Sequence, residues 1–500
     1  MSLCAIIGAI HISSSTATNS AHDTVGQSNM AVGFGSFAKF VKGKFRFFAH
    51  QGFTVKHSLC KFYNNSVQNM SVENQTSAQQ VPIVIPPLEV RGMKVLDRNA
   101  FTKEINVPYL LVSVEKVKDV VKVLKPCFLK MPNLQPVQDE GKEKKILLHP
   151  DLFDEKLLYL QKFFNKFDIN NVLWNKITVT YENWTSDNIF KAVLPPDSTG
   201  NVSSFSIIGH IIHLNLKPDL MDFKHVIGEV LLDKHSNIRT VVNKAQIIEN
   251  EFRNLSIELL AGVPEYEVLV KENNCQYAFD FSKVFWNPRL VNEHSEIVKR
   301  AESGDVVYDI FAGVGPFAVP LAKKKCHVYA NDLNPDSYKW LSHNANLNKV
   351  TQYLHPYNLD GKEFIQTVVK KGLIDFWNRD DEDSRVHILM NLPASALDFL
   401  ETFRSLFFEE NPQEVGDMPM IYCYFFKRKD EDINDIISKY FDDETQKTLE
   451  ITSVRLVAPN KMMMRVTYKL PRKILFFDFC EPPAKKLKCE PEAEKANFKS

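Results

Sequence analysis

One segment, VVYDIFAGVGPFAVPLA at residues 306–322, constrains the fold more than any other stretch of the chain. It reads as a buried strand, a turn carrying Gly313 and Gly315, and a helix. Glycine is the residue that lets a backbone bend tightly and approach a ligand with no Cβ in the way. A second strand lies in CHVYANDLN (326–334) and ends at Asp332, seventeen residues past Gly315. A carboxylate at that point can accept hydrogen bonds from ribose hydroxyls. A third strand-like stretch ends in NLDGKEF, with Asp360 and Gly361, and a fourth ends in Asn391-Leu392-Pro393. Strand, glycine loop, helix and strand repeat from about 277 onward, the pattern of a doubly wound parallel sheet whose strand ends converge on one crevice.

Two nucleotide-binding chemistries share that architecture. A nicotinamide dehydrogenase would carry a third glycine to keep the helix N-terminus open for a pyrophosphate. Here Pro316, Phe317 and Ala318 fill that part of the turn. Asp309 within the first strand end and the Asn-Leu-Pro at the fourth suit an S-adenosyl-L-methionine enzyme better.

At 500 residues with 44% hydrophobic content, the chain is long enough for two to four domains. Lys and Arg total 61 and so do Asp and Glu, so any nucleic-acid surface must come from local clustering. No apolar run has the length to span a bilayer, 306–322 being broken by Asp, Gly and Pro, and no membrane association is expected. The eight cysteines (Cys4, Cys60, Cys127, Cys275, Cys326, Cys423, Cys480 and Cys489) include no C-x-x-C pair. That argues against a disulfide framework and a metal site, and for a reducing compartment.

Residues 1–72 hold one acid, Asp23, against Lys39, Lys42, Lys44, Arg46, Lys56 and Lys61. This is the composition of a mitochondrial transit segment, which would deliver the protein to the matrix; the competing account is a disordered tail. A start at Met70 would remove the segment and leave nuclear and cytoplasmic pools. The far end, 473–500, is expected to be a disordered tail; its PPAKKLKCEPEAEK fits a nuclear-import patch and an ordinary solvated tail equally. Between the ends we expect a small α/β module at 86–145 that closes on a linker, PNLQPVQDEGKEKK. A second α/β module, rich in β-branched stretches, follows at 146–270, and the Rossmann-like domain occupies 271–472. NRDDEDS at 378–384 reads as a solvated loop.

The segments DIFAGVGPF, NDLNPDSYKWLSHNANLNKV, NLDGKEF and MNLPA, with FDFSKVFWNPRLVNEHSEIV and EFRNLSIELLAG before them, closely resemble the eukaryotic and archaeal tRNA (guanine-37-N1)-methyltransferases. The likeness runs over about 86–470. It implies a Rossmann-like S-adenosylmethionine-dependent methyltransferase domain, preceded by a β-rich domain and a small N-terminal module that docks on the tRNA body. The implied activity is methyl transfer to N1 of guanosine 37 in the anticodon loop of tRNA, and a monomer is expected. Carried over residue by residue, the resemblance implies Arg253, Glu293, Asn391 and Pro393 as the catalytic set. It implies His294, Asp332, Leu333, Asp360, Gly361 and Asn391 as cofactor contacts, joining Asp309, Gly313 and Gly315.

Those residue types suit the reaction. Guanine N1 carries a proton at neutral pH, so a base must accept it as the methyl group arrives, and Glu293 is the candidate. Negative charge then develops on O6, where the guanidinium of Arg253 would stabilise the transition state. Asn391 can hold the base edge in line. Taken without the resemblance, Glu293 and Arg253 read rather as a surface ion pair, and Asn391 rather as a strand-end turn residue. Of Phe285 and Trp286, both candidates for stacking on an extruded base, core packing is the expectation. Two rivals remain. An aminocarboxypropyl transferase of wybutosine synthesis is expected to carry Glu at the Asp332 position and to depart from Asn-Leu-Pro. A noncatalytic RNA-binding protein would not need an intact turn and base.

Overall fold

A computed structural model describes residues 84–152, 158–167, 169, 171–196, 202, 205–244, 256–379, 383–408 and 415–476. Both terminal segments, the centre of the 378–384 run and Arg253 lie outside the described residues. No helix among the described residues is long and apolar enough to cross a membrane. The chain divides into two compact units.

The first unit takes in Val107–Leu129 and Pro136–Asn175. Its strands are β1 (Lys103–Ser113), which enters it from Val107 onward, β2 (Val137–Glu140) and β3 (Glu143–Leu147). They pair antiparallel in the order β2-β3-β1, with Tyr109 opposite Leu147 and Val137 opposite Ile146. Alternate side chains of β1, Leu110 and Val112, turn inward against Val120 and Leu124 of helix α1 (Val117–Leu124) and against Phe163 of α2 (Leu158–Phe167). This corrects two sequence expectations. The charged stretch expected to be a linker is the β2-β3 hairpin, closed tightly by Gly141 at φ +64°. The domain boundary expected at 145/146 falls inside β3, and α2 completes the core of this unit.

The second unit holds Val84–Asn106, Lys130–Gln135 and everything from Lys176 onward. Within it, Trp184 is fully buried and donates its indole N–H to the Phe101 carbonyl at 3.0 Å, tying residues 84–106 to this unit. After β4 (Leu173–Val179) and α3 (Ser186–Val193) comes a four-stranded sheet ordered β5-β6-β7-β8: Ser206–Ile208, Ile211–Leu214, Thr240–Lys244 and Ile257–Gly262. Strands β6 and β7 are parallel, and α4 (Lys224–Lys234) carries the crossover between them. The hairpin of β9 (Glu267–Glu272) and β10 (Cys275–Asp280) follows. Its two turn residues, Asn273 and Asn274, both have positive φ, the geometry that matches strand twist in two-residue hairpins. The expected domain boundary at 270/271 falls inside β9.

The large sheet is β13-β12-β11-β14-β15-β17-β16. In chain order its strands are β11 (Val306–Asp309), β12 (His327–Asn331), β13 (Leu354–Tyr357), β14 (Val386–Met390), β15 (Met420–Arg428), β16 (Glu450–Ala458) and β17 (Lys461–Lys469). The first five run parallel. Strand β17 runs antiparallel to β15, and β16 antiparallel to β17, because only two residues separate β16 from β17, too few for a crossover. The sheet is therefore mixed, where strand-helix repetition alone predicted a parallel one. Alternate residues of its central strands feed two cores. Val307, Val328 and Leu389 face one; Val306, Ile388 and Met390 face the other. At about 1.5–3 kcal/mol per buried large aliphatic side chain, these layers hold the parallel strand ends in register.

Three helices bear on the site: α5 (Val291–Arg300), α6 (Ala318–Lys323) and α7 (Pro335–Leu347). Asn334 caps α7, its side chain accepting from the Asp336 N–H, with Pro335 at the first helical position. Asn344 and Asn348 turn the same helix into a clamp for the β9-β10 hairpin. They accept from the Ala278 and Gln276 N–H groups at 2.8 and 2.9 Å.

Candidate active site

The carboxyl ends of β11, β12, β13 and β14 meet where the strand order reverses, the place at which doubly wound sheets bind ligands. One buried side chain organises three of these ends. Asn331, closing β12, donates to the Ile310 and Leu359 carbonyls at 3.2 and 3.0 Å and accepts from the Leu359 N–H at 2.9 Å. Sequence reasoning passed over it in favour of its neighbour Asp332.

The turn after β11 bends at Gly313 (φ +56°) and Gly315 (φ +97°). The two glycines do different things. A Cβ at Gly315 would sit 2.8 Å from Leu341 Cδ1 and 2.9 Å from Val319 Cγ2, so that glycine lets α6 and α7 close together. At Gly313 a Cβ would meet nothing within 4 Å, so the backbone there borders open space. Its N–H donates to Asp332 Oδ2 at 2.8 Å while the Asn334 N–H takes Oδ1 at 3.0 Å. Burial raises the pKa of Asp332, opposed by those hydrogen bonds. Asp309 is fully buried, and neither carboxylate oxygen forms a well-made hydrogen bond. Burial, reinforced by the Asp332 charge and opposed by the Phe311 amide, pushes its pKa up to about 8. It is therefore largely neutral at pH 7.

Leu333 stands exposed beside Asp332, its carbonyl held by the Asn358 side chain at 3.0 Å. Asp360 is exposed and accepts from the Lys362 N–H at 2.8 Å, capping the next helix. Gly361 lies between Phe311 and Phe399, where a Cβ would come within 3.0 Å of either ring. At the end of β14, Asn391 Oδ1 is buried with no hydrogen-bond partner, an acceptor waiting for a donor. The Pro393 carbonyl accepts from the Phe426 N–H at 3.1 Å, which fixes the Asn-Leu-Pro loop against β15.

Glu293 projects from the first turn of α5 into the same region. Its Oε1 accepts from the Tyr424 hydroxyl at 2.7 Å and from the Arg465 guanidinium. Tyr424 lies one residue beyond the Cys423–Met390 register pair, level with Asn391, and its ring is 6.1 Å from that of Phe317 in the glycine turn. Glu293, Asn391 and the turn therefore share one neighbourhood. His294 points elsewhere. It is buried, with Nδ1 2.5 Å from Glu272 Oε1, and its ring packs edge-on against Phe317 at 4.7 Å. It supports the turn from beneath, and its carboxylate partner was not visible as such in the sequence. Trp286 is core, packed on Tyr277 and Phe279, whereas Phe285 is 59% exposed. Core packing held for one of the pair only.

Tyr424, Arg465, Glu272 and Asn331 were all missed. For Arg465 a signal existed: a lone arginine inside the apolar strand KMMMRVTY, which can be buried only against an acid.

These features accommodate an adenosyl group: open space over Gly313, an acidic residue at the end of the second strand, and an unpaired amide oxygen at the fourth. Sheet order, turn and strand-end residues together define a Rossmann-like S-adenosylmethionine-dependent methyltransferase. The chain is 46% identical to a tRNA (guanine(37)-N(1))-methyltransferase of Anopheles gambiae over 79% of its own length and 72% of that protein's. It is 42% identical to the Xenopus tropicalis protein of the same name (83% and 86%) and 39% identical to the human one (81% and 81%). The chain belongs to the tRNA (guanine(37)-N(1))-methyltransferase family. Residues 268–411 match the TRM5/TYW2 methyltransferase domain, and residues 186–265 match the TYW2 N-terminal domain. Among solved structures, the fold is similar to Trm5b from Pyrococcus abyssi (TM-score 0.51, 24% identity, 72% of this chain and 98% of that one). It is also similar to aTrm5 in its complex with tRNALeu (TM-score 0.52, 21% identity, 73% and 99%).

Proposed function

We propose that this chain transfers the methyl group of S-adenosyl-L-methionine to N1 of guanosine 37 in tRNA. The observation that carries the chemistry is the state of Glu293. Both donors converge on Oε1, while Oε2 takes no hydrogen bond from any of the described residues. That leaves one carboxylate oxygen to accept the N1 proton.

When bound, S-adenosyl-L-methionine supplies an electrophilic methyl group on a sulfonium. Asp332, its oxygens already oriented by Gly313 and Asn334, accepts from the ribose hydroxyls. Leu333, exposed beside Asp332, would help hold the adenine, with Asp360 and Gly361 at the next strand end. Asn391 Oδ1 takes a donor from the guanine edge or the cofactor, removing its desolvation penalty, and Pro393 shapes the loop behind it. Arg253, which lies outside the described residues, is the residue to which the resemblance gives the stabilisation of O6 as N1 loses its proton. The base leaves its stack to reach the site, and Phe285 is an exposed aromatic that could stack on it. Arg289, Arg455 and Lys461 contact backbone phosphates. Arg455 reaches Asn287 Oδ1 at 3.4 Å, and Lys461 lies 3.9 Å over the Phe426 ring, next to the Asn-Leu-Pro loop.

Methylation at this position supports reading-frame maintenance and is the first step toward wybutosine. We further propose that the protein acts as a monomer, and that residues 1–72 direct it to the mitochondrial matrix with nuclear and cytoplasmic pools besides. The decisive experiment incubates the protein with unmodified tRNA and S-adenosyl-L-methionine and maps the modified nucleoside by mass, with Glu293→Gln alongside. We expect 1-methylguanosine at position 37 and a rate loss of about 100-fold or more in the variant. An aminocarboxypropyl adduct, a product at another position, or full turnover without the carboxylate would overturn the assignment.

A further inference from the structure

We propose that Arg465 and Tyr424 are positioning residues for the reaction, fixing Glu293 by one oxygen so that the other is presented to the guanine. The inference rests on reading Glu293 as the base.

The charge arrangement behind α5 sets Arg465 apart from an ordinary structural arginine. Three acids, Glu293, Glu296 and Glu450, and two arginines, Arg300 and Arg465, meet there. Glu450 on β16 is already gripped by both nitrogens of Arg300, at 2.6 and 2.8 Å, and lies 3.5 Å from Arg465. Arg465 is therefore not needed to satisfy Glu450. Its close acidic partner is Glu293, and its remaining bonds go to neutral hydroxyls, Thr467 Oγ1 at 3.1 Å and Thr452 Oγ1 at 3.5 Å. An arginine only 1% exposed, braced by two threonines and aimed at one oxygen of one carboxylate, is a fixed guanidinium fork. Tyr424 adds a second fixed donor from β15. Its ring also faces Phe317, so the base is referenced to the same turn that borders the cofactor space.

The consequence is a division of labour within one carboxylate. Two donors on Oε1 prevent rotation of the group and stabilise its charged form. Tyr424 on β15 and Arg465 on β17 hold Glu293 directly; around Arg465 stand Glu450 on β16, Arg300 with its helix neighbour Glu296, and Tyr422 on β15, which is influenced by both arginines. His294 turns toward Glu272 instead. Removing the guanidinium removes a cation from this group and leaves three acids, Glu293, Glu296 and Glu450, with Arg300 as the remaining cation.

The test is a set of single-turnover pH–rate profiles with the full chain, S-adenosyl-L-methionine and unmodified tRNA, for wild type, Tyr424→Phe, Arg465→Lys, Arg465→Met and Glu293→Gln. Cofactor affinity and thermal unfolding are measured on each. In Arg465→Met the acid limb is expected to move to higher pH. Tyr424→Phe should move it less in the same direction, and Arg465→Lys should recover most of the displacement. Cofactor affinity should stay within about twofold. If Arg465→Met does not fold, Tyr424→Phe decides, since it deletes a single hydroxyl. A uniform loss of rate with the limb unmoved, while Glu293→Gln is inactive, overturns the positioning role and leaves the base intact. Full turnover by Glu293→Gln overturns the base, and the positioning role with it.

Discussion

The backbone N–H of Gly313 donates to Asp332 Oδ2 at 2.8 Å, locking the turn after β11 to the end of β12. This bond gives Asp332 two duties, shaping the turn and presenting acceptors to a ribose. Asp332→Ala removes both, and loss of one or two charge-assisted hydrogen bonds should weaken cofactor binding about 10–100-fold. Titration calorimetry with S-adenosyl-L-methionine reads this directly. Unchanged affinity would exclude Asp332 from the binding site.

The two glycines of the turn should respond in opposite ways. In Gly315→Ala, strain at positive φ combines with overlap on Leu341 and Val319, costing about 1–3 kcal/mol of stability. In Gly313→Ala the methyl group points into open space. The cost in the free protein is only the αL penalty of about 1 kcal/mol, but the space it enters is where the cofactor binds. Melting temperature should fall mainly in the first variant and cofactor affinity mainly in the second. The reverse pattern would place the cofactor elsewhere.

What the sequence disclosed and what it hid follow from the range of the interactions. The glycine turn, Asp332, Asp360 and Asn391 were legible because each sits at a strand end whose position is set by local periodicity. Glu293 was legible as a residue, but not its partner. Arg465 lies 172 residues away on an antiparallel strand, and no local pattern states which strands become neighbours. The same physics hid the Glu272–His294 pair. It also hid the β2-β3 hairpin, where a run of charges resembles a linker until its pairing with β1 is seen. The domain boundaries were displaced because β1 and β4 pass between the two units, and composition does not change where a strand crosses.

Asp309 makes stability depend on pH. Its carboxyl ionises near 3.8 when exposed and at about 8 in the folded protein. Between these values the folded state keeps a proton that the unfolded state has lost, so this group destabilises the fold increasingly as pH rises from about 4 to about 8, and no further above that. Asp309→Asn removes the effect. The difference in melting temperature between variant and wild type should therefore widen in favour of the variant from pH 5 to pH 8.5. A gap independent of pH would mean that Asp309 is ionised throughout.

The basic groups near the Asn-Leu-Pro loop give a prediction about RNA alone. Arg455 lies close enough to Arg289 that burial, and then the neighbouring charge, depress its pKa. Lys461 sits over Phe426, whose N–H holds the Pro393 carbonyl. None of the three cations forms a salt bridge among the described residues, so their positive charge is available to phosphate. Neither Arg455 nor Lys461 contacts Glu293, so replacing them should spare the chemical step. Arg455→Gln and Lys461→Gln should each raise the KM for tRNA, with kcat at saturating tRNA within about twofold of wild type. Each should also flatten the dependence of log affinity on log salt by about 0.7–0.9 for every phosphate no longer neutralised. Affinity for the cofactor should be the same in both variants as in wild type, because neither cation borders the glycine turn. A salt slope unchanged in both variants would mean that the tRNA backbone passes over another part of the surface.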